Sequence, residues 1–236
     1  MKLALLDRLL AAGGSAAALA TDLTTGAQWM VTAQGCVGDG ELGTAAMAQV
    51  RRSIDEDQSQ TIETETGPLF VEVWNPPLRL IVVGGVHTAQ ALVPLARLVG
   101  YDVTVVDPRS AFATPARFPD TKLVTAWPDQ AVPGLRPDRR TAIVTLTHNS
   151  RIDDPALAAG LRTEAFYIGA LGSRRTHAQR CTRLTESGFD AAAIGRIHGP
   201  VGLALGALTP GEIAVSIVAE MTAALRRSPL ANRAPA

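Results

Sequence analysis

The pattern of hydrophobic and polar positions changes near residue 75. Before that point, short apolar runs at 16–20 and 27–32 and an alternating segment at 69–74 favour strands, while helices are predicted over 2–12 and 43–55. Alternation of apolar and polar side chains is typical of a half-exposed strand. The sequence Asn75-Pro-Pro then interrupts any regular element. We therefore predict a small α+β domain over residues 1–75 and a second domain over residues 76–236.

The second domain alternates buried strands with helices. Mostly apolar strands are predicted at 80–83, 103–106, 122–125, 141–147 and 165–169, and one intervening helix runs from Arg174 to Ser187. Continuous apolar strands are typical of parallel sheets that helices cover on both faces. The last helix has the clearest start, because Thr209-Pro-Gly-Glu212 combines an N-cap, a proline at the first helical position and a capping-box glutamate. The expected fold is α/β, a small N-terminal α+β domain followed by a Rossmann-like doubly wound parallel sheet.

Composition and charge narrow the possible partners. Of the 236 residues, 47% are hydrophobic and 19% are charged, which is typical of a globular protein. The 22 basic residues equal the 22 acidic ones, so we expect neither nucleic acid nor a membrane as a partner. The first ten residues are too short and too charged for a membrane span or a signal peptide. Two distant cysteines, Cys36 and Cys181, suit free thiols in the cytoplasm.

The turn Gly84-Gly-Val-His-Thr-Ala89 follows the first strand of the second domain and begins a helix. This is the context of the dinucleotide-binding fingerprint G-x-G-x-x-G/A, and Asp107 lies close to the expected position of the acid that binds ribose. Val86, however, stands where the second glycine belongs, and its side chain fills space that a pyrophosphate needs. His87 could donate to an anion or simply belong to the turn. The segment predicts a Rossmann domain and leaves open whether its turn binds a ligand.

Two later segments carry candidate chemistry at strand ends, where ligands bind in doubly wound sheets. Thr147 and His148 close the long apolar strand, so His148 is a candidate site residue. The sequence places no cysteine, serine or acid that would make it part of a nucleophilic triad, and a general acid or base role stays open. Gly169 and Gly172 flank a second turn, Ser173 is a candidate N-cap, and an arginine pair begins the helix.

This arginine pair is unusual, because cations are unfavourable at a helix N-terminus. Arg174 and Arg175 therefore suggest a phosphate site, with a solvated arginine pair as the alternative. His177, one turn further on, is expected to face solvent. His198 lies in a loop rich in glycine and proline at 197–202, where it could line the same cleft or bind the loop's backbone. Cys36 could be a metal ligand or a small packed hydrophobe, and we favour the second.

Four long motifs resemble one known family. They are Val103-Thr-Val-Val-Asp-Pro-Arg-Ser, Leu146-Thr-His-Asn, Tyr167-Ile-Gly-Ala-Leu-Gly-Ser-Arg-Arg-Thr-His and Ile197-His-Gly-Pro-Val-Gly. Together they resemble the XdhC/CoxI family, accessory proteins of xanthine dehydrogenase and related molybdenum hydroxylases, over about residues 69–224. The resemblance implies a small domain joined to a Rossmann domain. It also implies a role in holding the molybdenum cofactor, supporting its sulfuration and handing it to the apo-hydroxylase.

The family's motifs fall on particular positions of this sequence. Its turn falls on residues 84–89, with Val86 in place of the usual glycine. Its Thr-His-Asp motif falls on Thr147, His148 and Asn149, so the acid is absent here. Its N-terminal Ser-Gly-Gly-Cys loop aligns with the glycine-rich loop that we predict over residues 35–41, which puts Glu41 at the cysteine position and leaves Cys36 out of register.

The leading hypothesis is therefore a non-catalytic maturation factor that binds molybdopterin or its dinucleotide form. Its expected partners are an apo-hydroxylase, a sulfurtransferase and a second copy of the chain. The alternatives are an NAD(P)-dependent oxidoreductase that uses the same cleft and an adaptor whose cleft is vestigial. For the oxidoreductase, Asp107 favours NAD over NADP, but the nearby Arg109 leaves both cofactors open. The residues predicted to bind the cofactor are Gly84, Gly85, His87, Asp107, Arg109, Thr147, His148, Gly169, Gly172, Ser173, Arg174, Arg175 and His198. No metal site and no catalytic residue is predicted.

Overall fold

The computed structural model describes residues 15–231, so the helix predicted over 2–12 lies outside the described residues. Contacts divide the chain into two compact units, Met1–Pro76 and Pro77–Ala236. Within the described part of the chain, no helix is long and apolar enough to cross a membrane.

The first unit contains an antiparallel sheet with one described helix against it. Its elements are β1 (Ala17–Asp22), β2 (Gln28–Thr32), β3 (Gly35–Gly38), α1 (Thr44–Glu56), β4 (Gln60–Thr64) and β5 (Gly67–Trp74). The strand order is β3-β2-β1-β5-β4. Val50 of α1 packs with Val31, Leu69 and Val71 of the sheet, which places the core of this unit between α1 and one sheet face.

Two predictions for the first unit were wrong in detail. The segment 35–41 was expected to be a loop, but Gly35–Gly38 pairs with β2 as an edge strand. Gly38 allows this pairing because a Cβ there would collide with the backbone of Gln28 and Trp29. Strand β4 was not predicted, because of its five residues only Ile62 is buried and its apolar pattern is correspondingly weak.

The second unit is a parallel sheet between two layers of helices, as predicted, and it has six strands where five were expected. Its elements are β6 (Leu78–Val83), α2 (His87–Leu98), β7 (Tyr101–Val106), β8 (Lys122–Val124), α3 (Pro128–Gly134), β9 (Thr141–Thr145), α4 (Ser150–Leu161), β10 (Tyr167–Ala170), α5 (Arg174–Glu186), α6 (Ala191–Ile194), β11 (Ile197–His198) and α7 (Pro210–Leu225), followed by a 3₁₀ turn (Pro229–Ala231). The strand order is β11-β10-β9-β6-β7-β8. The order reverses between β6 and β9, so a ligand crevice is expected at their carboxyl ends.

The central strands are buried on both faces, which explains their continuous apolar runs. In β6, Leu80 and Val82 belong to the core shared with α2 and α7, whereas Ile81 and Val83 belong to the core shared with α3, α4 and α5. This alternation matches the pleat of a strand, whose successive side chains point to opposite faces.

The predicted helix starts are confirmed. The Ser173 side chain accepts a hydrogen bond from the backbone N–H of Thr176 at the start of α5. At α7 the Thr209 hydroxyl accepts from the N–H of Glu212, and the Glu212 carboxylate accepts from the N–H of Thr209. These caps fix where α5 and α7 begin, and so they fix the side chains that follow the strand ends.

Candidate functional site

The glycines at the end of β6 are required by the protein's own packing. Gly84 has a φ of 108°, and a Cβ on it would collide with the side chain of Thr147. A Cβ on Gly85 would lie 2.6 Å from the carbonyl oxygen of Phe112 and 3.2 Å from the ring of Phe118. The loops after β7 and β9 therefore lie directly against this turn.

The loop after β7 is fastened over the turn by arginine side chains. Arg117 donates to the carbonyl oxygen of Phe112 at 3.0 Å and to the side chain of Gln90 on α2 at 3.0 Å. The guanidinium of Arg109 lies 4.0 Å from the centre of the Phe112 ring, a favourable cation–π distance. Phe112 is thus held between two cations beside Gly85.

Val86 is the N-cap residue of α2, and it makes no side-chain capping hydrogen bond. Its side chain packs against the core that includes α2 and α7. His87, the first residue of the helix, is exposed. The valine therefore has a packing role at the position where a dinucleotide fingerprint has its second glycine.

Asp107 is fully buried at the end of β7, and its carboxylate is already well supplied with donors. Oδ2 accepts from the N–H of Gly85 at 2.8 Å and from Arg109 at 2.7 Å, while Oδ1 accepts from the backbone and Nε of Arg109. Burial alone would raise the pKa of Asp107, but these hydrogen bonds outweigh it and hold the pKa below the usual value of 3.8. A ribose contact stays a prediction; the observed geometry gives Asp107 the task of joining the turn to Arg109.

The segment after β9 differs from its predicted form. The strand ends at Thr145, two residues before the expected end: Leu146 still donates its N–H to Val83 of β6, but Thr147 turns to Asp153 of α4. The Thr147 hydroxyl donates to Asp153 at 2.7 Å, and Asn149 is the N-cap of α4. His148 has a φ of 57° and an exposed side chain at this end of the sheet.

A buried ion pair lies beneath this segment, and sequence reasoning missed it. Asp153 and Arg180 are 1% and 2% exposed, with 3.8 Å between Oδ2 of Asp153 and Nη2 of Arg180. Burial raises the pKa of Asp153 despite its hydrogen bonds with Thr147, and burial lowers the pKa of Arg180. Arg180 also donates to the carbonyl oxygen of Leu171, so it connects α5 with the ends of β9 and β10.

The turn after β10 leaves two guanidinium groups available to a ligand. Gly172 has a φ of 149°, and Ser173 caps α5. Arg174 and Arg175 are exposed, and neither forms an ion pair or a side-chain hydrogen bond within residues 15–231. Unlike Arg109 and Arg180, these two cations have no carboxylate partner in the described part of the chain.

Gly169 and His177 both contribute to close packing near this turn. A Cβ on Gly169 would lie 2.8 Å from the ring of Tyr167. His177 was expected to face solvent, but it is half-buried against Gly199, and its Nδ1 has no hydrogen-bond partner among the described residues. Its Nε2 lies 3.6 Å from the sulfur of Cys181. The prediction was wrong because Gly199, without a side chain, lets the loop after β11 press onto α5.

His198 ends β11, the short strand that pairs with β10, rather than lying in a loop as expected. Its Nδ1 lies 3.5 Å from Oε1 of Glu220, a fully buried residue of α7. The imidazole stacks on Tyr167 with 4.5 Å between ring centres. The carboxylate beneath His198 had not been foreseen.

The first unit holds a separate cavity of about 720 Å³. The charged residues that line it are all acidic: Asp22, Glu41, Glu63 and Glu65. Cys36 is half-buried against the core of this unit, and burial raises the pKa of its thiol. No cluster of three or more potential metal-ligating side chains occurs among the residues that the structure describes. An anionic ligand is therefore better matched by the second unit.

Comparison with known proteins agrees with this architecture. A family model described as the XdhC Rossmann domain matches residues 80–221. The chain belongs to the XdhC family. The XdhC-type fold extends over most of the chain: a solved structure described as a xanthine dehydrogenase from Bacillus halodurans aligns with 94% of this chain and 65% of its own, with a TM-score of 0.71 and 26% identity.

Two curated relatives are similar in sequence to part of this XdhC chain. A protein of Bacillus subtilis, named as a probable xanthine dehydrogenase subunit, is 32% identical over 180 residues, which is 73% of this chain and 52% of that protein. The "Molybdenum cofactor insertion chaperone PaoD" of Escherichia coli is 32% identical over 150 residues, 63% of this chain and 40% of that protein. The chain thus spans about half or less of the length of the curated relatives that it matches.

Proposed function

We propose that this protein holds the molybdenum cofactor and supports its sulfuration and its insertion into an apo-hydroxylase of the xanthine dehydrogenase type. Membership of the XdhC family supports this proposal, and so does the name of the related chaperone from Escherichia coli. The partners proposed with it are the apo-hydroxylase, a sulfurtransferase and a second copy of the chain, in the cytoplasm.

The arginine pair at the start of α5 is the observation that carries the binding part of the proposal. Molybdopterin has a terminal phosphate, which its dinucleotide form extends with a nucleotide, so unpaired cationic donors would bind it favourably. Arg174 and Arg175 fit this requirement, because both are exposed and neither has a carboxylate partner within residues 15–231. Backbone N–H groups at the same helix start add further donors for a phosphate. The cofactor supplies the redox chemistry of the hydroxylase, and these residues would only hold it.

The glycine turn at Gly84 fits a pyrophosphate less well. Phe112 and Thr147 occupy the space beside Gly85 and Gly84 where side chains are missing, and Val86 replaces the second glycine of the fingerprint. We therefore place the phosphate of the cofactor at the turn after β10 and not at the end of β6.

Molybdenum content tests the proposal. The protein is purified from a host that makes the cofactor, and molybdenum is measured by mass spectrometry alongside pterin fluorescence after oxidation. We expect both in the wild type, and we expect Arg174→Ala/Arg175→Ala to weaken binding at least about tenfold, since hydrogen bonds to charged groups each contribute about 1.5–3 kcal/mol. Arg51→Ala/Arg52→Ala is the matched control, because it removes an adjacent, exposed arginine pair from a helix of the first unit.

Equal molybdenum content in both double variants would contradict the proposed grip. NADH binding at micromolar concentration, followed by its fluorescence, would instead favour the NAD(P)-dependent oxidoreductase. A stable complex with a hydroxylase in which no small molecule is bound would favour an adaptor.

A further inference from the structure

Glu220 places a buried carboxylate among several polar groups, and the task of holding a cofactor does not by itself require it. Glu220 is fully buried on α7, and its Oε2 accepts from the hydroxyl of Tyr167 at 2.6 Å and from the N–H of Gly202 at 2.8 Å. Its Oε1 faces Nδ1 of His198 at 3.5 Å. The imidazole is further fixed by stacking on the ring of Tyr167.

An ionised acid in this position is costly to bury. Glu220 lies next to Ile217 and Met221, which belong to the apolar core between α7 and the sheet. Removing a carboxylate from water costs several kcal/mol unless donors surround it. An apolar residue would avoid this cost, so the polar groups of Tyr167, Gly202 and His198 are what an acid at this position serves.

The donors around Glu220 determine which nitrogen of His198 carries a proton. Burial by itself would raise the pKa of Glu220, but the nearby imidazole of His198 and the hydrogen bonds from Tyr167 and Gly202 outweigh it and hold the pKa below its usual value. An ionised carboxylate presents only lone pairs, so the contact of 3.5 Å between Nδ1 of His198 and Oε1 of Glu220 favours the tautomer with its hydrogen on Nδ1. In the neutral ring, Nε2 then carries a lone pair, and within residues 15–231 no residue donates to it.

His198 is also well placed to meet a ligand. Its side chain is 22% exposed, and it ends β11 beside Gly169 of β10. Arg174 and Arg175 follow the same end of β10. The imidazole and the arginine pair therefore stand at the carboxyl ends of two adjacent strands.

We propose that His198 is a general base, and Glu220 its positioning residue, that removes a proton from an N–H, O–H or S–H group of a phosphate-bearing ligand held at Arg174 and Arg175. The proton passes to Nε2, the electron pair of the broken bond stays on the ligand atom, and Glu220 stabilises the imidazolium. Nothing is oxidised or reduced. The nature of the ligand rests on the proposed function, whereas the reactivity of His198 does not.

Acylation by diethylpyrocarbonate measures that reactivity directly. The chain has four histidines, and the exposed His87 and His148 are internal controls. At pH 7.5, mass spectrometry of peptides should show that His198 reacts faster than both controls despite its partial burial. In Glu220→Gln the rate at His198 should fall about tenfold, a loss typical for the partner that orients a histidine, while the control rates stay unchanged.

The comparison of His198 with His87 and His148 is made in the wild-type protein. It therefore tests the proposal even if circular dichroism shows that Glu220→Gln does not fold. A His198 that reacts more slowly than both controls, or whose rate is unaffected in a folded Glu220→Gln protein, overturns the proposal.

A second arm tests the ligand with inorganic phosphate and cytidine 5′-monophosphate as probes. Either probe should protect His198 in the wild type and fail to protect it in Arg174→Ala/Arg175→Ala. Absence of protection in the wild type would overturn the ligand part of the proposal. A fast-reacting His198 in a protein that carries no molybdenum would refute the proposed function and support His198 as a base. An unreactive His198 in a protein loaded with molybdenum would support the proposed function and refute His198 as a base.

Discussion

Replacement of Gly85 by alanine tests whether the turn after β6 is shaped by the protein or by a ligand. The backbone of Gly85 is not in the left-handed region, so the added methyl group itself is the only source of strain. That methyl group would lie 2.6 Å from the carbonyl oxygen and 2.9 Å from the carbonyl carbon of Phe112. Either the loop after β7 or the turn must move.

The cost follows from these contacts. Overpacking in a well-packed region costs about 1–3 kcal/mol, and the lower entropy of the unfolded chain with alanine returns about 0.4–1 kcal/mol. A moving turn also strains the buried hydrogen bond from the N–H of Gly85 to Asp107. We expect a net loss of about 2 kcal/mol, or a decrease in melting temperature of about 4–8 °C for a domain of this size.

Scanning calorimetry without any added ligand measures this loss, and hydrogen exchange should show faster opening between Asp107 and Phe118. Gly211→Ala is the matched control, since Gly211 lies in the first turn of α7 with no atom within 4 Å of its added Cβ. That variant should be unchanged or up to about 1 kcal/mol more stable. If Gly85→Ala melts like the wild type, the space at Gly85 is not filled by Phe112, and the reasoning that moves the phosphate site away from this turn is wrong.

Three further perturbations follow from the described contacts. Arg180→Met should lower the free energy of unfolding in denaturant by about 3–5 kcal/mol, because it leaves Asp153 buried without a counter-charge. Adding Asp153→Asn to this variant should recover part of the loss, and no recovery would contradict the pairing. Thr209→Ala should cost about 1 kcal/mol in the same assay through loss of the cap of α7, and an unchanged midpoint would argue against the capping box. The pKa of Asp107 is lowered in the folded state, so its contribution to stability is complete above its unfolded-state pKa near 4 and is lost as pH falls through its folded-state pKa. Between pH 6 and pH 3, the free energy of unfolding measured in urea should therefore depend less steeply on pH in Asp107→Asn than in the wild type. An equal pH dependence in both proteins would refute this.

Local patterns predict much of the second unit. The strands expected at 80–83 and 103–106 lie inside β6 and β7, and the caps at Ser173 and Thr209 occur where the sequence places them. These features depend on residues within a few positions of one another, so the sequence displays them directly. The end of β9 was predicted two residues too late, and one cause is that Thr147 bonds to Asp153 of α4, a contact that the apolar run does not reveal.

The chemistry of the candidate site depends instead on contacts between distant segments. Tyr167 and Glu220 are 53 positions apart, and only the tertiary fold brings them together. One signal was available: Glu220 follows Ile217 by three positions and precedes Met221, so it falls on the apolar face of a well-capped helix. A single acid on such a face indicates a buried carboxylate, although its partner remains unknown until the fold is known.

The two outer strands of the parallel sheet limit how other molecules can attach to it. β8 has three residues and β11 has two, so each edge offers very few backbone groups for pairing with a foreign strand. Short edges of this kind discourage growth of a sheet from one molecule into the next. A molecule that binds the second unit would therefore contact mainly side chains on its helices and loops. Such an interface on the second unit would depend on surface side chains, which can diverge between relatives without disturbing the parallel sheet.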